Sequence, residues 1–410
     1  MRQLTPVFWL AGLALAACGQ PSSEAPETAP ELSVEERLME QLIDAQPGDV
    51  IEIPEGTFSF TRGLSLTVDG VTIRGQGMDK TVLSFAEQIA GAEGLLVTAS
   101  DFTIEDLAIE DAKGDGLKIN EGDNITIRRV RAEWTGGPKT ENGAYGIYPV
   151  QTTNVLIEDT LTIGASDAGL YVGQSKDVIV RRNRAEYNVA GIEIENTMNA
   201  DVYENVATNN TGGILVFNMP QLQQAGAATR VYNNQVFANN TGNFGHPGTP
   251  VASVPAGTGV IVNSNDHVEI FDNEISDNKT GNIIISSLFS TGYASESASE
   301  TFDPYPEGIY IYGNTFSGGG DNPDTPELQL ARMALFGPDG RLPDIIWDGF
   351  YDEAKMVDGV MPDELRICVD NGEIGILNAN GPSGFTEPST DMAPFNCNLE
   401  KLPAIDLGRS

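Results

Sequence analysis

A glycine that opens an alternation of apolar and polar residues recurs along this chain at nearly constant spacing. Gly116-Leu117-Lys118-Ile119 is one instance, and the successive glycines stand 22, 30, 23, 22 and 22 residues apart. These glycines are Gly94, Gly116, Gly146, Gly169, Gly191 and Gly213. Alternation with period two is a strand pattern, and these segments lack the 3.6-residue period of a helix. The repeat therefore predicts an all-β fold, a parallel β-solenoid with about 22 residues per coil.

A second repeat places an asparagine three residues after the apolar centre of the next strand. Its members are Asn183, Asn205, Asn234, Asn273 and Asn314. Another column, five residues further along each coil, consists of Asn188, Asn210, Asn239 and Asn278. Asparagine tolerates the left-handed backbone that a sharp turn requires, and stacked amides can hydrogen-bond along the axis. We expect turn ladders here rather than ligand-binding groups.

Four insertions lengthen individual coils around the first strand of the coil. Two precede that strand, at about 133–145 and 240–257, and two follow it, at about 218–228 and 286–307. Solenoids place insertions around their binding face. The first strand of each coil is therefore expected to form the floor of a cleft walled by these loops.

The outward positions of that strand, the second and fourth after each glycine, hold the candidate site. Neighbouring coils lie about 4.8 Å apart, so one patch should contain aromatic and charged side chains together. The candidates are Lys118, Tyr171, Glu193 and Glu195 for catalysis and Tyr148, Gln151, Phe217 and Asn263 for substrate binding. Aromatic rings stack on sugars, and carboxylates bind hydroxyls or act as acid and base, so the patch predicts a glycan ligand.

Alternatives remain for the same patch. Tyrosine is a common strand residue, and charged residues on an exposed strand often serve solubility alone. Glu193 and Glu195 could bind Ca²⁺, but two carboxylates are few for a dedicated site, so no metal or other cofactor is predicted.

The amino terminus predicts export. Arg2 precedes an apolar run at 7–17 that is too short for a permanent membrane span. Leu15-Ala16-Ala17-Cys18 resembles the lipobox of bacterial lipoproteins. The resemblance implies a signal peptide at 1–17, lipidation of Cys18, a Ser/Pro/Glu/Ala tether at 18–32, and attachment to the cell envelope, at the outer membrane, through the lipid alone.

Charge and cysteine usage fit this compartment. A formal net charge of −36 excludes nucleic acid as a partner and disfavours polyanions, although a saline habitat would also produce such acidity. With Cys18 assigned to lipid, Cys368 and Cys397 are expected to form one disulfide.

The segment 33–45 predicts an amphipathic helix, with Ser33 as N-cap and Glu36 at the capping-box position, placed to cover the open end of the solenoid. This helix and the following Pro47-Gly48-Asp49 with its first strand resemble the start of pectin-lyase-like right-handed β-helices. The resemblance implies a right-handed β-helix over 33–320. Residues 321–410 lose the period and are expected to form a C-terminal cap held by the disulfide.

The stretch 145–151 is similar to a motif of mannuronan C5-epimerases. Tyr145, Gly146 and Pro149 match, but Tyr148, Val150 and Gln151 stand where that family has Asp, His and Asp. None of these three replacements can act as a base near neutral pH without a strong perturbation. The resemblance therefore implies the fold without the epimerase chemistry.

The whole chain resembles the lipidated parallel β-helix repeat proteins of Gram-negative bacteria. Three functions stay open at this point. The first is a glycan-binding or envelope scaffold protein without catalysis. The second is a polysaccharide lyase or hydrolase, with Lys118 or Tyr171 as base and Glu193 or Glu195 as acid or metal ligand. The third is a docking platform for an envelope protein partner.

Overall fold

The computed structural model describes residues 32–222, 224–291, 298–299 and 302–408. The predicted signal peptide, Cys18 and nearly all of the tether lie outside the described residues. The strands are β1 (Val50–Glu52), β2 (Gly56–Ser59), β3 (Arg62–Leu66), β4 (Thr72–Arg74), β5 (Thr81–Ser84), β6 (Ala90–Val97), β7 (Thr103–Glu110), β8 (Leu117–Glu133), β9 (Tyr145–Glu158), β10 (Leu161–Ile163), β11 (Ala168–Gly173), β12 (Lys176–Arg181), β13 (Arg184–Glu186), β14 (Ala190–Glu195), β15 (Met198–Tyr203), β16 (Val206–Thr208), β17 (Gly212–Phe217), β18 (Ala227–Tyr232), β19 (Gln235–Phe237), β20 (Thr258–Asn263), β21 (Asp266–Phe271), β22 (Glu274–Ser276), β23 (Gly281–Ser286), β24 (Ile309–Tyr312), β25 (Thr315–Ser317), β26 (Ile345–Trp347), β27 (Ile367–Asp370) and β28 (Ile376–Asn378). The helices are α1 (Val34–Ile43) and α2 (Pro326–Phe336), with short 3₁₀ turns at Pro250–Ser253, Leu288–Ser290, Glu353–Lys355, Asp363–Leu365, Gly381–Ser383 and Ala393–Phe395.

These strands stack in parallel register on three faces of a right-handed β-helix, which confirms the predicted fold class. Face one consists of β3, β6, the starts of β8 and β9, β11, β14, β17, β20, β23, β26 and β28. Face two runs from β1 through β4, β7, β8, β9, β12, β15, β18, β21 and β24 to β27. Face three runs from β2 through β5, β7, β8, β10, β13, β16, β19 and β22 to β25.

Alternation within each strand builds one continuous apolar core along the axis. On β14, Ile192 and Ile194 are fully enclosed, and on β17 Ile214 and Val216 stack directly on them. Each coil buries its inward side chains only against its neighbours. Stability therefore comes from coil-to-coil contacts.

Both asparagine ladders form as predicted. The Asn205 side chain donates to Asn234 Oδ1 (3.0 Å), and its own Oδ1 accepts the backbone N–H of Asn183 (2.9 Å). The left-handed residue at this turn is the one before each asparagine, as at Glu204 with φ of 55°. The asparagine's role is thus to bond the turn along the axis rather than to adopt the strained backbone itself.

Helix α1 closes the amino-terminal end of the solenoid. The Ser33 hydroxyl accepts the Glu36 N–H (3.2 Å), and the Glu36 carboxylate accepts the Ser33 N–H (2.8 Å), which completes the predicted capping box. Leu38 and Leu42 are buried in the core cluster. The helix therefore seals the first coil through its apolar stripe.

The sheets continue past residue 320, where the sequence predicts the solenoid to end. Strand β26 pairs with β23 on face one and β27 with β24 on face two, so the carboxy-terminal segment adds further coils despite the lost period. A disulfide joins Cys368 of β27 to Cys397. Beyond it the chain returns along face two, where the Leu402 N–H donates to Glu269 (3.0 Å) and the Ile405 N–H to Asp201 (3.2 Å). Neither described α-helix is long and apolar enough to span a membrane.

Candidate functional site

The predicted outward column of face one is present in the expected register. Lys118 pairs with Tyr148, Tyr171 pairs with Glu193, and Glu195 pairs with Phe217 on the next coil. Gln151 departs from the prediction, because it has a left-handed backbone (φ 56°) and lies exposed at the corner after face one. The corner directs it away from the strand column, so Gln151 does not belong to the patch.

A further outward column, the residue directly before each glycine, contributes a tyrosine that the sequence patch omits. Tyr145 pairs with Ala168 on the next coil, and its ring contacts Tyr148 (centroids 4.4 Å apart) and Tyr171 (4.6 Å). Tyr148 and Tyr171 meet edge to face at 4.9 Å. Three tyrosines from two neighbouring coils thus form one aromatic cluster on face one.

A cation and two carboxylates stand on the amino-terminal side of this cluster. Lys118 Nζ lies 4.8 Å from the Tyr148 ring centroid, 3.8 Å from Asp115 Oδ2 and 3.9 Å from Glu93 Oε1. Burial raises the pKa of the Asp115 carboxyl to about 6, although the Lys118 ammonium opposes the shift. A carboxyl that titrates near neutrality beside an ammonium is suited to proton transfer.

Acidic groups with raised pKa values stand on the other side of the tyrosines. The Tyr171 hydroxyl donates to Glu195 Oε1 (2.7 Å), and Glu195 and Glu193 share a hydrogen bond. Burial raises the pKa of both carboxyls, so this pair retains a proton as the pH rises past the usual range of a glutamic acid. Burial and the Glu195 charge also raise the pKa of Asp167 to about 7, while the Tyr145 hydroxyl donates to its Oδ2 (3.5 Å).

The prediction of an open cleft over the middle of face one is wrong. The insertion that precedes β20 folds over the strands, and its Val251 and Val254 pack in one apolar cluster with Tyr171 and Leu215. Tyr171 is only 5% exposed and Glu193 only 3% exposed. The physical reason is that Leu215 and its neighbours on the outward column are apolar and need cover.

Because the insertion that precedes β20 covers the middle of face one, several of the predicted site residues are buried. Glu193 cannot touch a polymer in this conformation, and Phe217 is buried in the cluster under the insertion. Asn263 is buried as well, and its amide donates to Ser286 Oγ (2.9 Å). Phe217 and Asn263 therefore have packing roles, whereas Lys118, Tyr148 and part of Glu195 remain accessible.

Two openings along face one are formed by described residues. The first, which we call the acidic recess, has a volume of about 420 Å³, and its lining includes Lys113, Asp115, Glu141, Asp167 and His246. Its Asp115 lies 3.8 Å from Lys118 Nζ. The second, the apolar groove, has a volume of about 900 Å³ and lies over the later coils between the 250–255 segment and α2; its lining includes Ile261, Ile284, Leu288, Leu328, Ile346 and Phe385.

Glu193 and Glu195 do not have the arrangement of a calcium site. Glu195 is engaged by Tyr171 and Glu193, and one oxygen of Glu193 is buried without a partner. Calcium requires six to eight oxygen ligands, which the aromatic and apolar side chains around the pair do not supply. The chemistry of the pair is that of a shared proton.

Comparison with known proteins agrees with this architecture. Residues 61–236 match the family described as a right-handed beta helix region. The chain is similar to the A-module of Azotobacter vinelandii mannuronan C-5 epimerase AlgE4, with 19% identity over 82% of this chain and 89% of that chain and a TM-score of 0.50. It is also similar to endopolygalacturonase I from Stereum purpureum, with 10% identity over 68% of this chain and 95% of that chain and a TM-score of 0.48. No curated protein sequence matches it significantly.

The fold of the chain is therefore that of a right-handed parallel β-helix. At these identities the likeness to solved structures concerns the fold alone. The chemistry must therefore be argued from the residues of the acidic recess and the tyrosine cluster.

Sequence reasoning missed three groups of the site. Asp115 and Tyr145 each stand directly before a repeat glycine, and Asp167 stands two residues before Gly169. The signal was available, since the residue before each glycine is aromatic or charged only in these early coils and is Ala, Gly or Thr further along. The sequence prediction considered only the outward positions after each glycine, so it did not include the residue before the glycine.

Proposed function

We propose that the protein binds a glycan at the acidic recess, with Tyr148 and Tyr145 as stacking surfaces and Lys118, Asp115 and Asp167 as hydrogen-bonding groups. The observation that supports the proposal is that Asp115 and Asp167, which line the recess, contact the tyrosine cluster and its lysine: Tyr145 donates to Asp167 (3.5 Å), and Lys118, over the Tyr148 ring, lies 3.8 Å from Asp115. A ring supplies an apolar face for a sugar, and charged groups at its edge satisfy the hydroxyls. The polysaccharide named for the similar epimerase A-module agrees with this ligand class.

The charges favour a glycan without carboxylates. Glu93, Asp115, Glu141 and Asp167 surround the recess or its rim, against Lys113 and Lys118 and an exposed histidine. The chain as a whole carries a formal net charge of −36. Like charges repel an anionic polymer and lower its rate of association. We therefore propose neutral or amino-sugar polymers as ligands, rather than uronates.

Attachment to the cell envelope belongs to the same proposal. The Leu15-Ala16-Ala17-Cys18 sequence supports lipidation, and an anchored β-helix would hold its recess near envelope or environmental polysaccharides. Cell fractionation of the wild-type protein and the Cys18→Ser variant tests the anchor independently of the ligand.

Binding to a glycan array, followed by calorimetry on the best ligand, tests the recess. Tyr148→Ala is expected to weaken binding about tenfold or more, because a stacking platform is removed without a change in the core. Tyr351→Ala is the matched control, since Tyr351 is an exposed aromatic residue of the carboxy-terminal region. Equal loss in both variants, or stronger binding of uronate than of neutral oligosaccharides, would contradict the proposal.

Catalysis is a second candidate, favoured by two carboxyls that titrate near neutrality in one recess. The pKa of Asp115 is raised to about 6 and that of Asp167 to about 7, mainly by burial. A lyase or hydrolase needs an acid and a base in reach of the scissile bond. Asp115→Asn and Asp167→Asn should abolish product formation on a bound polysaccharide, whereas binding should fall much less, because the asparagine amides still hydrogen-bond to hydroxyls but cannot transfer a proton. Chain length analysis of the polymer measures this directly.

The docking alternative has the apolar groove as its support. If the array finds no glycan and Tyr148→Ala changes nothing, the groove and an envelope protein partner become the better explanation of face one. Partner binding that is lost on substitution of Leu328, a residue of the groove lining, and unaffected by Tyr148→Ala would identify that outcome.

A further inference from the structure

A cluster of carboxylates lies where the insertion at about 286–307 returns to face two. Asp266 begins β21, and Asp303 and Glu307 lie at the end of the insertion just before β24. Oxygen atoms of these three carboxylates all lie within 4.8 Å of one another. Lys355 reaches the cluster from the carboxy-terminal segment, and its Nζ contacts Asp303 Oδ2 and Glu307 Oε2, the latter at 2.6 Å.

One oxygen of this cluster is buried without a partner. Glu307 is 4% exposed, and its Oε1 makes no hydrogen bond with the part of the chain that the structure describes, although Oε2 binds Lys355. A buried carboxylate oxygen without a donor costs free energy, because it has lost its water and gained nothing in return. A cation bound at this oxygen would remove that cost.

The charges of the cluster are not balanced by Lys355. Three carboxylates face one ammonium, and Asp352 adds negative potential nearby. The Asp266 carboxylate accepts the backbone N–H of Glu307 (3.2 Å). A single ammonium thus leaves an excess of negative charge in a partly buried space.

We propose that Asp266, Asp303 and Glu307 form a calcium site, and that Lys355 Nζ occupies the position of the cation in the calcium-free protein. Calcium bonds to oxygen at about 2.4 Å, so its ligands can be up to about 4.8 Å apart, whereas magnesium requires a tighter octahedron. The carboxylate oxygens lie within 4.8 Å of one another, close enough for one calcium ion to bind all three residues. Glu307 Oε1 supplies the ligand atom that Lys355 does not use.

Calcium would fix the insertion that forms part of the apolar groove. Asp303 and Glu307 end this insertion, and Leu288 near its start lines the groove. Tyr305, between the two carboxylates in sequence, packs its ring on Phe289 with centroids 5.4 Å apart. Binding of the cation at one end is therefore connected through Tyr305 to the groove wall, and it frees Lys355 from the cluster.

Terbium luminescence and calorimetry on the full chain after chelation test the site. Tb³⁺ substitutes for Ca²⁺, and Tyr305, whose N–H donates to Asp303 (3.0 Å), is close enough to sensitise its emission. We expect a saturable signal displaced by CaCl₂ with a Kd on the order of 10⁻⁴ to 10⁻³ M or tighter. Asp303→Asn combined with Glu307→Gln should weaken Ca²⁺ binding at least about tenfold. The matched control, Asp272→Asn with Glu274→Gln, changes the net charge equally at a neighbouring turn.

Lys355→Met distinguishes a calcium site from a purely structural ion pair. Removal of the competing ammonium should tighten Ca²⁺ binding about fivefold or more, and added Ca²⁺ should raise the melting temperature more in this variant than in the wild type. Lys401→Met, which removes a cation from face two, should leave the affinity unchanged. Unchanged or weaker Ca²⁺ binding in Lys355→Met, tighter binding of Mg²⁺ than of Ca²⁺, or equal loss in both double variants would each overturn the assignment.

Discussion

The first asparagine ladder allows a quantitative test of what holds the coils together. Asn205 is almost fully buried, and its amide donates to Val180 O (3.0 Å) and Asn234 Oδ1 (3.0 Å). Its Oδ1 accepts from the backbone N–H (2.9 Å) and the side-chain amide (3.0 Å) of Asn183. Asn205→Ala therefore removes these four hydrogen bonds and leaves the Asn183 N–H unpaired in a dry turn.

The expected cost follows from these contacts. Each hydrogen bond contributes about 1 kcal/mol net, and an unpaired buried donor costs about 1–3 kcal/mol. Because Asn183 and Asn234 keep their other partners, we expect Asn205→Ala to lower the free energy of unfolding by about 3 kcal/mol. The effect should exceed that of a typical surface substitution, which stays within about 0.5 kcal/mol.

Equilibrium urea unfolding, followed by far-ultraviolet circular dichroism, measures this difference. Asn322→Ala is the control, since Asn322 is exposed and its described hydrogen bond is made by the backbone. If the m-value changes in Asn205→Ala, the coils unfold in more than one step, and the midpoint of the main transition is compared instead. A loss of less than about 1 kcal/mol, or one equal to that of Asn322→Ala, would refute the ladder as a source of stability.

Three further predictions concern other parts of the chain. The pKa of Asp167 is raised to about 7 by burial, so its folded form holds a proton more tightly than its unfolded form, and stability should fall as pH rises from about 4 to about 7. Asp167→Asn should flatten this part of the profile of melting temperature against pH; parallel profiles would show that the group is not buried as described. The Cys368–Cys397 disulfide closes a loop with a sequence separation of 29, so its reduction should lower the free energy of unfolding by about 3–4 kcal/mol. Unfolding with and without a reductant measures this difference, and an unchanged midpoint would contradict it. Cys18→Ser should release the protein from the membrane fraction or leave it uncleaved, whereas unlipidated wild-type protein in the soluble fraction would exclude the lipobox assignment.

The fold could be predicted from the sequence because the same residue pattern recurs in successive coils of the solenoid. Each coil shows the same glycine, the same alternation and the same asparagine, so one register explains all of them, and the core positions follow from it. The carboxy-terminal coils were missed for the same reason. Strands β26 and β27 continue faces one and two, and Asn371 continues the first asparagine ladder by accepting the Asn314 N–H (2.6 Å). Asn371 stands two residues after the apolar centre Val369, not three, so the sequence spacing does not reveal it.

The candidate site could be predicted only in part, because periodicity gives the direction of a side chain and says nothing about what lies over it. Lys118, Tyr148 and Tyr171 were placed together correctly, since neighbouring coils fix their separation. Glu193 was placed on the right face and yet is buried. The length of the insertion at 240–257 marked a loop at the site, but length alone does not show whether a loop walls a cleft or closes it.

The amino-acid composition of that insertion indicates whether it walls a cleft or closes over the strands. Leu215 and Ile261 stand outward on neighbouring coils, and an exposed column of such residues would forgo about 1.5–3 kcal/mol for each side chain left in water. The preceding loop supplies Val251 and Val254, which bury them. An outward apolar column that coincides with an apolar insertion therefore predicts that the chain covers itself. Ile284 on β23 continues the same column; it packs only at the margin of this cluster, stays partly buried, and lines the apolar groove.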